Sequence, residues 1–230
     1  MLAFLAAASG AVQEDLPPAP VGPVLHASPF TAAFHAGRRS ALMNAVGSGV
    51  IVVRGAADTR DYRAFSQSNQ FWYLTGVEDP GAELVLVPAS GRQILFLPPT
   101  DPTRETVEGS RLVPGPEARR RTGIDEVRAV GEFTQVLDTL KDQGPFHTPL
   151  QPAEKLGMSR DRALTADNAA GRDPWDGRFP RERAFSEALE RRLGVAVMDL
   201  SPALDRLRRV KTAEEVVALR EACRISGLAI

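Results

Sequence analysis

The chain has 230 residues, 43% hydrophobic and 25% charged, with a formal net charge of −1. That composition is globular, and the length suits one large domain plus a further segment. The near-neutral balance carries no electrostatic footprint for nucleic acid, the single cysteine excludes an internal disulfide framework, and no apolar run reaches the ~18–20 residues of a membrane-spanning helix.

The first residues, MLAFLAAASGAVQ, form an apolar run ending in small side chains, as in the h-region and cleavage zone of a secretory signal. No Lys or Arg precedes Leu2, so export and a cytoplasmic chain with a frayed start both stay open. Residues 14–29 carry Pro17, Pro18, Pro20, Pro23 and Pro29 and read as an extended leader. The folded part is expected from Phe30.

Phe34, Ala41, Leu42 and Val46 place a helix before Gly47, and Val50-Ile51-Val52-Val53 follows as a buried strand. Gly47-Ser48-Gly49 between them is no phosphate cradle, because that device needs strand, glycine loop and then helix. Phe71-Trp72-Tyr73-Leu74 concentrates bulky β-formers and reads as a strand ended by the Thr75-Gly76 turn, with Phe71 and Leu74 in the core and Trp72 and Tyr73 on opposite faces. Glu83 to Val87 and Gln93 to Leu97, joined through Ser90-Gly91, make a hairpin. A short helix at Glu117 to Arg121, a strand at Val127 to Val130 and a helix at Phe133 to Leu140 come next.

Pro145 to Asp176 has little pattern and reads as loop-rich. Arg181 to Leu193 has Phe185, Ala188, Leu189 and Leu193 at helical spacing, Gly194 suits the position after the helix, and Val195 to Met198 is the last strand. Asp199 or Ser201 caps a short helix through Leu207. Thr212 and Glu215 have the spacing of a capping box, which opens a final helix with Val216, Leu219, Cys223 and Ile230 along one stripe. No closing signal and no further element follows to cover that stripe, so the reading is of a helix whose partner lies downstream. The alternative is docking back on the chain's own domain. Alternating strands and helices mean an α/β domain.

Little local chemistry stands out. His26, His35 and His147 have no carboxylate or second histidine at i+3 or i+4 and read as surface or capping histidines. Cys223 reads as a packing residue. The arginine runs at 38–39, 119–121, 191–192 and 208–209 and the acidic pairs Asp58/Asp61, Asp173/Asp176 and Glu187/Glu190 read as solvated surface. Ser48 lies in no Gly-x-Ser-x-Gly elbow.

The run from Gln67 through Gln70-Phe71-Trp72-Tyr73-Leu74-Thr75-Gly76-Val77-Glu78-Asp79-Pro80-Gly81 to Ala82 resembles the core signature of the N-terminal domain of Xaa-Pro aminopeptidases, or aminopeptidase P. The helix from Arg38 to Met43, the segment from Glu105 to Ala118 and the run Leu207 to Glu215 resemble that family in the same order. The resemblance implies a mixed β-sheet flanked by helices over residues 30–200, shared in outline with prolidase and creatinase. It also implies that residues 201–230 are a linker and the first helix of a pita-bread peptidase domain.

That further domain would hold two divalent metals, manganese by expectation, on two Asp, one His and two Glu, none of them reached by Ile230. This chain then has no catalytic or metal-binding residue of its own. It would shape the cleft for peptides with proline second and mediate homo-oligomerisation. Asp61, Tyr62, Trp72 and Tyr73 are the candidates for a cleft rim or interface. Thr106-Val107-Glu108 stands where many relatives carry a tryptophan, which removes an aromatic contact used in the bacterial tetramer, and Asn69-Gln70 replaces a frequent Ser-Asp. A stand-alone peptide-binding module without catalysis is the second reading, and prolidase- or creatinase-type specificity is a third.

Overall fold

Thr31 opens the first helix, its side-chain oxygen accepting from the Phe34 amide at 3.2 Å, and α1 (Ala32–Val46) runs to Gly47. The computed structural model describes residues 29–58, 65–155, 157–176 and 180–228. The leader sequences, His26, Asp61, Tyr62 and Ile230 lie outside the described residues. After Gly47 the chain enters β1 (Val50–Arg54) within two residues. Gly49, at φ +79°, passes so close to Pro145 that a Cβ would sit 2.1 Å from the Pro145 carbonyl oxygen.

Phe71 to Leu74 is helical, not extended: α2 (Asn69–Thr75) replaces the expected strand. The ends explain the difference. The Ser68 hydroxyl accepts from Phe71 N at 3.4 Å, and Thr75 Oγ1 donates to Phe71 O at 2.9 Å while accepting from Val77 N at 3.1 Å. Gly76, in the left-handed region at φ +68°, closes the helix on Trp72 O. Capping at both ends and the i, i+3 burial of Phe71 and Leu74 outweigh the β propensity of the aromatics.

The hairpin of β2 (Glu83–Val87) and β3 (Arg92–Leu97) is followed by α3 (Pro102–Glu108), α4 (Pro116–Thr122), β4 (Glu126–Ala129) and α5 (Phe133–Leu140). The weakly patterned stretch after Pro145 contains β5 (Phe146–Thr148), with His147 inside it rather than in a loop, and α6 (Arg160–Ala170). Then come α7 (Arg181–Leu193), β6 (Val197–Asp199), α8 (Ser201–Arg209) and α9 (Ala213–Leu228).

The strands form one mixed six-stranded sheet in the order β4-β3-β2-β1-β5-β6, antiparallel only where β2 meets β1 and β3. Alternate residues of β1 feed two cores. Ile51 and Val53 join Leu84, Leu86, Leu95 and Leu97 beneath α1, α2, α4 and α8, whereas Val50 and Val52 join Val85, Ile94, Phe96 and Phe146 beneath α5 and α7. Burial on both faces explains why the central strands read as unbroken apolar runs.

Arg39 corrects the reading of its doublet as solvated. It is fully buried, with no carboxylate paired to it among the described residues, and its guanidinium donates to Leu74 O at 2.7 Å, Thr122 O at 3.0 Å, Gly123 O at 3.3 Å and Gln93 Oε1 at 2.6 Å. Burial lowers its pKa to about 10, which leaves it charged at neutral pH. The capping box at α9 forms as expected, with Thr212 N donating to Glu215 Oε2 and Glu215 N to Thr212 Oγ1. Leu219 and Cys223 are exposed, so none of the described residues packs over the cysteine.

Two substitutions test this frame. Arg39→Leu strands buried carbonyl acceptors at the ends of α2 and α4 and is expected to cost on the order of 3–5 kcal/mol in urea unfolding, with Arg39→Lys recovering only part because an ammonium cannot serve four spread acceptors. Gly49→Ala is expected to cost at least as much, read the same way, because the new methyl meets backbone rather than a side chain able to move aside.

Candidate functional site

Of the residues singled out by sequence, Trp72 and Tyr73 are neighbours on α2 instead of occupying opposite faces of a strand. Trp72 is half-buried, its ring edge-on to Phe30 and His35 at centroid distances of 5.8 Å. Tyr73 is buried, and its hydroxyl donates to Leu207 O of α8 at 3.5 Å. His35 is buried too, contrary to the surface reading. Its Nδ1 lies 2.9 Å from Tyr73 O, and desolvation lowers its pKa. The aromatic signature therefore builds the seam between α1, α2 and α8.

The polar half of the signature has a different task. Gln67 Oε1 accepts from Ala56 N at 2.6 Å and Ser68 N at 2.8 Å, and its Nε2 donates to Asp79 O at 2.9 Å. Gly55 N and Gly81 N reach across to Ala82 O and Ala56 O. One buried amide thus locks the end of β1, the start of α2 and the 78–82 loop together.

Next to this knot, a hollow open to solvent lies beyond the carboxyl ends of β1 and β5. Arg54 comes from β1, Ser68 and Gln70 from the start of α2, Thr148 from β5, and Arg181 and Phe185 from α7. Arg54 Nε donates to Glu83 Oε1 at 2.9 Å across the antiparallel register, and its guanidinium lies 4.6 Å from the Phe185 ring centroid. Arg181 Nη1 donates to Gly55 O at 2.6 Å.

Two buried side-chain atoms here have no hydrogen-bond partner among the described residues: Gln70 Nε2 and Glu83 Oε2. Burial pushes the Glu83 carboxyl up to about 7 against the opposing pull of Arg54. Sequence reasoning missed this group. The Arg54/Glu83 pair was legible as opposite charges at the ends of two adjacent strands, but Arg181 arrives from 126 positions away and left no local signal. Among the described residues, no group of three or more His, Cys, Asp or Glu side chains could hold a metal ion.

The family described as Aminopeptidase P, N-terminal domain, matches residues 35–146. Those residues are an aminopeptidase P N-terminal domain. The chain is 29% identical over 169 residues to the Xaa-Pro aminopeptidase of Haemophilus influenzae, covering 71% of this chain and 32% of that protein. It is 30% identical over 222 residues to the "Probable Xaa-Pro aminopeptidase" of Colletotrichum graminicola, covering 92% of this chain and 37% of the relative. Aminopeptidase P from E. coli with the inhibitor Pro-Leu shares the fold at a TM-score of 0.59 and 21% identity, over 87% of this chain and 44% of that one. The chain thus spans about a third of the length of the curated relatives it matches.

Within the aminopeptidase P domain, Glu83 gives a pH signature. Its folded pKa of about 7 lies above the ordinary 4.5, so the folded state holds a proton that the unfolded chain releases. That contribution is fully present below about pH 4.5 and is lost as pH rises through 7, a total of about 3 kcal/mol. Glu83→Gln is expected to shrink the fall in unfolding free energy between pH 5 and pH 8 by about 2–3 kcal/mol, measured by urea titration at both values.

Proposed function

We propose that this chain supplies the non-catalytic, N-terminal portion of a metallopeptidase that removes N-terminal residues preceding proline. The observation that carries the reading is the family match at residues 35–146 within a chain that parallels about a third of each Xaa-Pro aminopeptidase relative. In this reading residues 30–200 are the accessory domain and residues 201–230 lead into the peptidase domain, where two divalent ions, manganese by family likeness, would activate water and polarise the scissile carbonyl.

The accessory domain acts by shape. Trp72, half-exposed beside Phe30 and His35, offers an apolar edge for a cleft rim. Tyr73 ties α2 to α8 and so fixes how the following segment leaves the domain. Glu154 adds a second tie, pairing with Arg208 at 2.9 Å and with Arg160 at 3.5 Å. Steric closure by such a rim, and by self-association, would discriminate against long or blocked peptides without any bond-making here.

The purified 230-residue chain is expected to hydrolyse no Xaa-Pro peptide and to bind no stoichiometric Mn²⁺ by calorimetry. Chelator-sensitive turnover by this chain alone would overturn the proposal.

A further inference from the structure

Residues 210–212 make the corner between α8 and α9: Val210, extended at φ −90° and ψ 118°, ends α8, and Lys211 and Thr212 lead into Ala213. α8 itself belongs to the domain, since Leu200 and Leu204 are fully buried in the core and Leu207 packs against it. α9 is held differently. Among its described residues only Glu215, a carboxylate, is buried, Val216 and Ala218 are half-buried, and the side chains from Leu219 to Leu228 are exposed. Apolar burial is non-directional and here nearly absent, so the direction of the helix rests on directional polar contacts at its base.

Those contacts converge on the Tyr73 hydroxyl of α2. The Arg38 guanidinium, which lies 5.4 Å from the Phe34 ring centroid one turn back on α1, hydrogen-bonds that hydroxyl. The hydroxyl donates in turn to Leu207 O in the last turn of α8. From α9 the Glu215 carboxylate bears electrostatically on the same group, while its Oε2 accepts from Thr212 N at 2.9 Å. Burial pushes the Tyr73 pKa up, which keeps the phenol a donor. The carboxyl end of α8 is finished from outside: Glu154 holds Arg208 at 2.9 Å, Arg160 reaches Asp205 at 2.6 Å, and Lys211 Nζ donates to Arg208 O. A carboxylate taken out of water is costly unless compensated. With α9 at this angle Glu215 keeps both its cap and its place near the hydroxyl to which the Arg38 cation is bonded.

We propose that Arg38, Tyr73 and Glu215 form a charged joint that locks the corner between α8 and α9, so that the domain extends rigidly into the first turn of α9 and residues 210–212 are no hinge. Arg38 and Glu215 are then positioning residues, setting the angle at which the chain leaves the domain. The joint is made of this chain's own side chains, and its test needs no catalysis. Only its consequence rests on the peptidase reading, in which a fixed corner would hold the cleft rim at one setting over the following domain.

The chain's single cysteine, Cys223, is exposed on α9 beyond the joint and takes a nitroxide label directly. A second label at Gln135→Cys, exposed on α5 over the other face of the sheet, lets pulsed electron-spin distance measurements on the 230-residue chain report the angle of the corner. The chain with no further substitution is expected to give one narrow distance distribution. Arg38→Met, which leaves the capping box whole and keeps apolar cover on Phe34, is expected to broaden it roughly twofold or more, as a freed hinge would. Glu215→Gln, which can still accept from Thr212 N but carries no charge, is expected to do the same. Thr212→Ala, which removes the hydroxyl cap and leaves the carboxylate, is expected to keep the narrow width, with helix content by circular dichroism preserved in all three. Should Arg38→Met fail to fold, Glu215→Gln decides. The assignment is overturned by a broad distribution without these substitutions, by unchanged width in either folded variant of the joint, by equal broadening in Thr212→Ala, which would make the cap alone responsible, or by broadening that comes with loss of helix.

Discussion

A single buried cation organises this domain. Among the described residues Arg39 has no counter-charge beside it, but three of its four acceptors are backbone carbonyls at the carboxyl ends of α2 and α4, where helices leave oxygens unsatisfied and the dipole favours positive charge. The fourth, Gln93 Oε1, brings in β3. One side chain on α1 therefore completes two helix termini and registers both against the sheet. Thr75 and Thr122 repeat one local device around it: each hydroxyl donates four residues back and accepts two residues on, across a left-handed glycine. The bent carbonyl ends this produces are what the guanidinium reads.

The same economy of connections places the hollow. With β2 alone reversed, the sheet is built outward by a hairpin and a parallel strand, and the return crossing to β5 leaves β1 central. The Gln67 knot then holds the α2 start at the carboxyl end of β1, so that Ser68 and Gln70 stand opposite Arg181 and Phe185 of α7. Scaffold and hollow share a sequence motif, yet different residues of it serve each: the aromatic residues pack, and the amides tie and line.

Much of the fold was readable. The boundaries of α5 and α7 follow from apolar spacing, the β2–β3 hairpin from Ser90-Gly91 between two apolar runs, and α9 from the Thr212/Glu215 spacing. The failures have physical causes. Aromatic residues at 71–73 looked β-forming because their caps, Ser68 and Thr75-Gly76, act through hydrogen bonds that propensity ignores. β5, three residues long, carries no period, and α6, with only Ala163 buried, has almost no apolar stripe. Arg39 looked like surface charge because its acceptors come from three distant segments. The hollow was invisible for the same reason, while the family signature, being local, was read directly.

The positions of the two tryptophans have a spectroscopic consequence. Trp175 is 93% exposed, whereas Trp72 is wedged against an imidazole and a phenyl ring at the α1–α2 contact. Emission from the chain should therefore divide into a red-shifted component open to ionic quenchers and a partly shielded one sensitive to how α1 sits on α2, so that a single fluorescence experiment distinguishes loosening of that contact from events elsewhere in the domain.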